Sequence, residues 1–235
     1  MAKKNKEISS INLLKVKPIT EGQKSVFETW KQGKNQFLFG CAGTGKTFIS
    51  LYLAMQDVLN LKTKYDKVIL VRSLIPTREI GFLPGDEEDK AALYQVPYQN
   101  MVKFMFEQPN EQAFNMLYDR LKNQGSLYFL STSFLRGLTF DNSIIIVDEC
   151  QNLNFHELDT ITTRVGQDSK IIFCGDFSQT DLLKQNEKNG LHDFLRILEE
   201  MQEFNCIEFN IGDIVRSGFV RNYLIQKTKL GMGME

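Results

Sequence analysis

Short apolar segments alternate with longer segments of mixed polarity along most of the chain. Six of the apolar segments consist mainly of aliphatic and aromatic residues, which favours strands; they lie at 36–39, 67–72, 127–130, 143–147, 171–174 and 206–209. The segments between them repeat apolar residues at helical spacing and predict helices; these lie at 46–61, 88–107, 110–122, 155–164, 190–201 and 213–228. Strands that are apolar on both faces and alternate with helices are typical of a parallel sheet covered on both sides. The pattern predicts an α/β fold, a three-layer sandwich with a mainly parallel sheet.

The composition of the 235-residue chain is that of a globular protein of one domain. Hydrophobic residues make up 42% and charged residues 24%, which predicts a folded core. The clean apolar runs, such as Ile144 to Val147, are far shorter than the roughly 20 residues that span a bilayer. We therefore expect no contact with a membrane and a cytoplasmic location. The four cysteines form no Cys-x-x-Cys pair, which favours reduced thiols over a zinc knuckle or a disulfide framework.

Positive charge is concentrated at the two ends of the chain, although the formal net charge is −1. Residues 1–34 hold eight lysines against three acidic residues, and residues 211–235 hold four basic residues against two acidic ones. Basic termini can bind phosphate backbones, but terminal lysines more often belong to solvated tails. We expect a basic extension over 1–17, a single domain over 18–228 and a flexible tail over 229–235.

The segment Gly40-Cys-Ala-Gly-Thr-Gly-Lys-Thr47 matches the phosphate-loop pattern G-x-x-x-x-G-K-[ST] at every fixed position. It lies between a predicted strand and a predicted helix, which is the context that the pattern requires. Lys46 is expected to reach the β- and γ-phosphates and the Thr47 hydroxyl to bind Mg²⁺. The residues expected to contact the nucleotide here are Gly40, Cys41, Ala42, Gly43, Thr44, Gly45, Lys46, Thr47 and Phe48.

Two further strands end in polar residues that would share the same edge of a parallel sheet. After 143–147 come Asp148 and Glu149; Asp148 is expected to hold Mg²⁺, and Glu149 to act as general base on the attacking water. After 171–174 comes Gly175-Asp-Phe-Ser-Gln179. The Gln179 amide is expected to sense the γ-phosphate through that water, although a polar turn that ends a strand explains the same residues.

Together these segments resemble the phosphate-starvation-inducible PhoH-like family of ATPases over residues 18–228. The segments that carry the resemblance are Gly40–Thr47, Arg72 to Gly81-Phe-Leu-Pro-Gly-Asp86, Phe134–Gly137, Asp148–Asn152, Thr163–Gly166, Gly175–Gln179 and Asp213–Ser217. The family is in turn similar to the first motor domain of superfamily 1 helicases. The chain departs from the family pattern at Cys41 and Ser73, where proline is common, and in the stretch before Gly81, which is about a residue short.

The resemblance implies a RecA-like P-loop ATPase domain that binds ATP with Mg²⁺, and RNA unwinding in some members. Helicase-like ATPases place an adenine-reading glutamine upstream of the phosphate loop, where this chain has Thr20-Glu-Gly-Gln23. The same residues also fit a helix capping box, in which the side chain of Gln23 caps the helix and reads no base. Both interpretations remain open at this point.

Three arginines are candidates for stabilising charge on the transferred γ-phosphate. Arg216 follows the last predicted strand and matches the family's terminal Asp-x-x-x-Arg-Ser motif, Arg164 lies in Thr163–Gly166, and Arg136 lies in Phe134–Gly137. Arg216 is preferred, followed by Arg164. A surface salt bridge or a charge at a helix end is the alternative for each.

Single-stranded RNA or DNA is the expected macromolecular partner. Aromatic and basic side chains near the nucleotide edge could stack bases and bind phosphates, whereas most of the eighteen phenylalanines must lie in the core. The candidates are Phe82, Phe134, Phe140, Arg72, Arg78 and Arg136.

Two other functions fit the same motifs. A nucleoside kinase of the thymidine kinase type also joins a phosphate loop to an Asp-Glu-x-Gln sequence, but it carries a four-cysteine zinc lobe for which this chain has no paired cysteines. An ATP-gated regulatory or assembly protein with slow turnover is the other. Because helicase-like motors place the nucleotide between two RecA-like domains and this chain supplies one, we also expect a homo-oligomer, such as a hexameric ring, with Arg216 or Arg164 reaching a neighbouring copy.

Overall fold

The computed structural model describes residues 13–73, 87–132, 135, 137–177 and 190–230, with the backbone alone described for 87–92. Its strands are β1 (Asn35–Gly40), β2 (Lys67–Arg72), β3 (Leu127–Ser131), β4 (Ser143–Val147), β5 (Lys170–Gly175) and β6 (Phe204–Phe209). Its helices are α1 (Glu21–Lys31), α2 (Lys46–Val58), α3 (Glu87–Phe106), α4 (Glu111–Asn123), α5 (Phe155–Thr162), α6 (Leu191–Glu200) and α7 (Gly218–Lys229). Each of the six predicted strands is confirmed to within two residues at either end.

The described strands form one sheet in the order β3-β2-β4-β5-β1-β6. All neighbouring strands run parallel. In the register, Leu38 of β1 lies between Cys174 of β5 and Ile207 of β6. Parallel pairing brings the carboxyl ends of β1, β2, β4 and β5 to one edge of the sheet, where open α/β folds bind their ligands.

Two hydrophobic clusters cover the two faces of the sheet and make the three layers. Successive strand residues point to opposite faces, so Leu38 and Ile146 join the cluster under α1 to α4. Their neighbours Phe37 and Ile145 join the cluster under α5 and α6. Because both faces are buried, the central strands are continuous apolar runs in the sequence. The predicted α/β three-layer sandwich is confirmed.

The described part of the expected N-terminal extension packs against the domain. Leu13 is buried in the core under α1 to α4. The Leu14 N–H donates to the Met105 carbonyl at the end of α3 over 2.8 Å, and the Val16 N–H donates to the Tyr52 hydroxyl of α2 over 3.2 Å. Residues 13–17 therefore lie against α2 and α3, beside the start of α1.

The C-terminal helix begins later than residue 213, where the periodicity places it. Ile211–Asp213 forms a 3₁₀ turn, and α7 starts only at Gly218. The buried Asp213 carboxylate accepts hydrogen bonds from the N–H groups of Gly22 (2.9 Å) and Asn210 (3.0 Å). The Val215 N–H donates to the Gly43 carbonyl over 3.0 Å. These long-range bonds hold residues 214–217 along the phosphate loop and delay the helix.

Within the described residues, no helix has both the length and the hydropathy that crossing a membrane requires.

Candidate active site

The phosphate loop connects β1 to α2 at the carboxyl edge of the sheet. Gly40 and Gly45 have φ of 120° and 86°, a region that favours glycine. Gly40 has a second reason to lack a side chain, because a Cβ there would lie 2.0 Å from the Phe209 carbonyl of β6. Gly45 is the N-cap of α2. The loop therefore delivers backbone N–H groups at a helix N-terminus, which is an anion-binding arrangement.

Lys46 points into the loop and is only 4% exposed. Its ammonium donates to the carbonyl oxygens of Gly40 (3.2 Å) and Cys41 (2.8 Å) and lies 3.3 Å from the Thr44 hydroxyl. It also forms an ion pair with the Asp176 carboxylate at 2.7 Å. A buried ammonium requires such partners. Asp176 thus occupies one side of the group that the sequence assigns to the phosphates.

Thr47 and Asp148 meet as their motifs predict. The Thr47 hydroxyl donates to Asp148 Oδ1 over 2.7 Å, and the Tyr98 hydroxyl of α3 donates to Asp148 Oδ2 over 2.7 Å. The Asp148 N–H donates to the Val71 carbonyl over 2.9 Å, which ties its backbone to β2. A hydroxyl and a carboxylate are oxygen ligands of the kind that Mg²⁺ binds.

Glu149 follows Asp148 in a left-handed backbone conformation with φ of 53°. Gln151 bridges it to the next strand, because its Nε2 donates to Glu149 Oε2 over 2.6 Å and its Oε1 accepts from the Asp176 N–H over 3.1 Å. Burial raises the pKa of the Glu149 carboxyl, and the negative charges of Asp148 and Asp176 raise it further. A carboxylate with a raised pKa is a better proton acceptor, as a general base requires.

Thr20 and Gln23 form one of the two hydrogen bonds of a capping box, and the Gln23 side chain contacts the phosphate loop. The Thr20 side chain caps α1 by accepting from the Gln23 N–H at 3.3 Å. The Gln23 side chain turns away from that cap: Nε2 donates to the Thr44 carbonyl over 3.0 Å, and Oε1 accepts from the Ile19 N–H over 3.0 Å. The buried amide therefore connects α1 to the loop.

The arginine candidates lie in different places. Arg216 is next to the loop of its own chain, since a Cβ on Gly43 would lie 2.9 Å from Arg216 Cγ. Arg164 is at the opposite edge of the sheet, ahead of β5, where its carbonyl accepts from the Phe140 N–H at 2.9 Å. It therefore lies away from the phosphate loop of the same chain. Phe140 is buried in the core, so its expected place at the nucleotide edge is wrong. Gln179, Arg136, Arg78, Phe82 and Phe134 lie outside the described residues.

A cavity of about 660 Å³ opens in front of these groups, a volume within the range of ligand sites. It is lined by residues 43–48 of the loop and α2, together with Gln23 and Arg216. Asp148, Glu149 and Asp176 line it as well. The half-buried Phe48 ring packs edge-on against Phe104 with the ring centroids 5.6 Å apart. The cavity thus joins an anion-binding loop to three carboxylates.

Two residues of this site were not assigned to it by the motifs, Asp176 and Tyr98, and a third, Arg72, was expected there only as a contact to nucleic acid. Asp176 stands inside the segment that singled out Gln179, and its position directly after a strand is a signal that could have identified it. The Arg72 guanidinium interacts electrostatically with the Tyr98 hydroxyl and lies 5.6 Å from the Tyr94 ring centroid. Tyr98 repeats at the spacing of the other core residues of α3, so the local sequence does not distinguish it as a residue of the site.

The model of the family described as "PhoH-like protein" matches residues 15–226. This chain belongs to the PhoH-like protein family. Its resemblance to that family, which the motifs indicate, is confirmed.

Curated relatives agree with this assignment. A PhoH-like protein of Synechocystis is 34% identical over 79% of this chain and 54% of its own length. A PhoH-like protein of Bacillus subtilis is 32% identical over 86% of this chain and 60% of its own length. The protein PhoH of Escherichia coli K12 is 32% identical over 80% of this chain and 51% of its own length. The chain thus spans about half the length of these relatives.

Solved structures with a similar fold include the large terminase of a thermophilic bacteriophage. Its complex with ADP has a TM-score of 0.50 and 14% identity, over 89% of this chain and 50% of that chain. A second crystal form has a TM-score of 0.52 and 12% identity, over 90% and 50% of the two chains. At this identity the likeness shows the fold alone. Fold and family together give the chain the fold of a RecA-like P-loop NTPase domain.

Proposed function

We propose that this PhoH-like chain hydrolyses ATP in a Mg²⁺-dependent reaction and couples hydrolysis to remodelling or unwinding of single-stranded RNA or DNA. The observation that carries the hydrolytic part is the hydrogen bond between Thr47 and Asp148, in one cavity with Lys46 and Glu149. It joins the start of α2 to the end of β4 at the edge where a phosphate loop needs its acidic partner.

Each residue of the cavity has a separate role in the proposed reaction. The backbone N–H groups of the loop and the Lys46 ammonium bind the phosphates of ATP, and Arg216 lies beside the same loop to offset charge on the γ-phosphate. Glu149 Oε1 or Oε2 takes the proton of the attacking water. Gln151 fixes the orientation of that carboxylate through the 2.6 Å hydrogen bond. Gln23 lines the cavity, and beside its bonds to Thr44 and Ile19 its amide keeps one N–H and one oxygen lone pair for an adenine edge, which favours ATP.

The metal requirement fits the chemistry of two side chains. Thr47 and Asp148 supply a hydroxyl and a carboxylate whose oxygens lie 2.7 Å apart. Mg²⁺ takes few protein ligands and keeps nucleotide oxygens and water for the rest. When bound between these residues and ATP, it would neutralise charge on the phosphates.

Nucleic-acid binding is supported by the surface of α7. The rings of Phe219 and Tyr223 are 82% and 57% exposed and stack with their centroids 6.5 Å apart. Lys227 follows Tyr223 by four residues and so shares its face of the helix. Between Ile214 and Leu230 the chain has four basic residues and no acidic one. Exposed rings beside cations are the combination that binds single-stranded nucleic acid by stacking and charge.

The position of α7 gives that surface a route to the nucleotide. A Cβ on Gly43 of the phosphate loop would lie 3.1 Å from Leu224 Cδ1 of this helix. Leu224 and Ile225 are the half-buried residues of α7, and the rest of the helix is exposed. A strand bound across Phe219 and Tyr223 would therefore press on a helix that contacts the loop. This proximity favours hydrolysis that responds to nucleic acid.

The experiment measures phosphate release from ATP with and without Mg²⁺, with and without single-stranded RNA or DNA, together with the anisotropy of a labelled oligonucleotide. We expect Mg²⁺-dependent release that the oligonucleotide stimulates. The F219A/Y223A double variant should weaken oligonucleotide binding about tenfold or more, at ~1–3 kcal/mol for each stacked base. The control is Ile197→Ala, which removes an exposed apolar side chain from α6.

Two outcomes would contradict the nucleic-acid part of the proposal. A rate of ATP hydrolysis that no oligonucleotide changes would show that hydrolysis is not coupled to nucleic-acid binding. Binding that F219A/Y223A leaves unchanged, with an altered self-association of the variant, would make this face of α7 a contact between copies of the chain.

The ATP-gated protein with slow turnover is the second candidate. The ion pair between Lys46 and Asp176 favours it, because a nucleotide has to break that pair before Lys46 can bind phosphate. A turnover below about one per minute with tight ATP binding would support this candidate, whereas typical enzymes turn over at ~1–10³ per second. The family match favours either function over the nucleoside kinase, and phosphate release that thymidine does not accelerate would agree.

A further inference from the structure

Both oxygens of the Asp148 carboxylate are held by hydroxyl groups of other elements. Thr47 of α2 donates to Oδ1 and Tyr98 of α3 donates to Oδ2, each over 2.7 Å. Thr47 is itself an expected Mg²⁺ ligand, which leaves Tyr98 as the partner dedicated to Asp148. Tyr98 is 1% exposed and lies in the middle of α3, directly after Pro97. The proposed function gives its hydroxyl no role.

The direction of the hydrogen bond at Tyr98 follows from its partner. An ionised carboxylate only accepts, so the single phenolic proton is directed at Asp148 Oδ2. The Arg72 guanidinium interacts electrostatically with the same hydroxyl, towards which it can only donate. Its positive charge therefore favours the orientation in which the phenolic oxygen faces Arg72 and the proton faces Asp148. The three side chains follow one another from Arg72 through Tyr98 to Asp148.

Each member of the sequence is held in place by its own surroundings. Arg72 ends β2, is half-buried and lies over the Tyr94 ring. The Tyr98 ring packs in the core 5.8 Å from Phe129. Asp148 is 7% exposed, and its backbone N–H bonds to Val71, the residue before Arg72. The carboxylate is thus oriented by β2 and α3 as well as by the phosphate loop.

We propose that Tyr98 and Arg72 are positioning residues for the metal-binding carboxylate. The Tyr98 hydroxyl holds Oδ2 of Asp148, and Arg72 keeps that hydroxyl in the donating orientation. Partners of this kind raise metal affinity by restricting the ligand to one orientation. This inference rests on the proposed Mg²⁺-dependent nucleotide binding.

A packing role alone makes a different prediction for the same residue. Phenylalanine fills nearly the same volume as tyrosine, so Tyr98→Phe keeps the core contacts and removes one buried donor. If the hydroxyl serves stability only, the variant lowers the free energy of unfolding and leaves the metal dependence of binding unchanged. If it positions Asp148, the metal dependence changes even where stability does not.

The test measures binding of a fluorescent ADP analogue as a function of Mg²⁺ concentration, with no turnover required. For Tyr98→Phe we expect affinity within twofold of the parent chain in EDTA, and about a tenfold rise in the Mg²⁺ concentration that gives half of the metal-dependent gain. Arg72→Met should shift the same concentration in the same direction. The double variant should add little to Tyr98→Phe, because the two residues act in one sequence.

The matched control is Tyr118→Phe, which removes a buried hydroxyl from α4 outside the cavity. It should leave the Mg²⁺ dependence unchanged, and urea unfolding of all variants shows that each is folded. A Mg²⁺ dependence of Tyr98→Phe within twofold of the parent chain overturns the inference. So does a fully additive double variant. A parent chain that binds the analogue without any Mg²⁺ effect instead contradicts the proposed function.

Discussion

Lys46 has a protein partner in the position where the proposed function requires a phosphate. The ion pair with Asp176 joins a 4% exposed lysine to a carboxylate that is 40% exposed. Binding of a nucleotide must exchange this carboxylate for phosphate oxygens. On this proposal Asp176 lowers the affinity for the nucleotide, although it lies 130 positions from Lys46 in the chain.

Asp176→Asn should tighten the binding of ADP in the absence of Mg²⁺. The substitution removes the competing charge, and a partly exposed ion pair contributes up to ~1 kcal/mol, which corresponds to about fivefold in affinity. Isothermal titration with ADP in EDTA measures the change. Asp168→Asn is the control, because Asp168 pairs with Lys64 in an exposed position outside the cavity. Equal or weaker binding by Asp176→Asn would show that Asp176 does not compete.

The motifs identify residues that act through a fixed local spacing. Lys46, Thr47, Asp148 and Glu149 were predicted because glycine-rich loops and acidic strand ends mark them. Tyr98 was not, because it lies in a helix and acts through a carboxylate 50 positions away, with no motif around it. Asp176 directly follows a strand, which marks it as a candidate, but only the fold shows that it pairs with Lys46.

At the scale of elements, Lys170 connects β5 to α1, and through Trp30 to α2, at the amino edge of the sheet. It begins β5, is 2% exposed, donates to the Trp30 carbonyl of α1 over 3.2 Å and lies 4.1 Å from the Trp30 ring centroid. The Trp30 indole N–H donates to Asp57 of α2 over 2.9 Å. Burial lowers the pKa of Lys170 to about 8. Burying this charge lowers the free energy of unfolding.

The pKa of Lys170 predicts how stability changes with pH. The folded value of about 8 is below the ordinary 10.5, so between these two values the unfolded chain binds more protons. Stability contributed by this group therefore rises as pH increases from about 8 to 10.5, and the full penalty applies below 8. Lys170→Met should be more stable than the parent chain at pH 7, and this advantage should shrink towards pH 10.

Urea unfolding at pH 7, 8.5 and 10 measures that difference. Lys24→Met is the control, because Lys24 is a half-exposed lysine in a surface pair with Glu21. An advantage of Lys170→Met that stays constant with pH would mean that Lys170 keeps its ordinary pKa when folded.

The strands were predictable element by element, whereas the start of α7 was not. Apolar runs such as 143–147 define their own ends, because polar residues follow at once. Asp213 instead receives the N–H groups of Gly22 and Asn210. The periodicity of 213–228 continues through a segment that tertiary hydrogen bonds keep extended. A tertiary contact here overrides local helical preference.

Asp213→Ala should lower the free energy of unfolding by about 2–4 kcal/mol. The substitution leaves the buried Gly22 N–H without a partner, at ~1–3 kcal/mol, and removes the cap that the carboxylate gives the 3₁₀ turn at Asn210, at ~1 kcal/mol. Urea denaturation monitored by circular dichroism measures the loss. Asp193→Ala provides the comparison, because the Asp193 side chain is 71% exposed and 3.8 Å from His192. A loss no larger than that of Asp193→Ala would show that the Asp213 bonds add nothing.

At the scale of the whole molecule, the described residues form the single sheet of one RecA-like fold. The expected homo-oligomer, such as a hexameric ring, remains a prediction. Arg216 lies against Gly43 of its own chain, so a cation is available without a neighbour. Arg164 lies at the other edge of the sheet and would act only on the site of another copy. The two arginines therefore make opposite predictions about assembly.

Arg164→Ala should lower ATP turnover if a neighbouring copy completes the site, and Arg216→Ala should lower it in either case. An arginine of this kind adds ~10³–10⁵ in rate. Turnover per chain should also rise with protein concentration through the range where sedimentation shows assembly. A strict monomer with constant turnover per chain would contradict the oligomer.

The most direct test of the central claim is the rate of phosphate release from Mg²⁺-ATP by the parent chain, Glu149→Gln and Lys46→Met, with ATP binding measured alongside. The account predicts release by the parent chain, unchanged ATP binding with at least a hundredfold loss of release by Glu149→Gln, and loss of both by Lys46→Met. Equal rates of release by the parent chain and Glu149→Gln would contradict it.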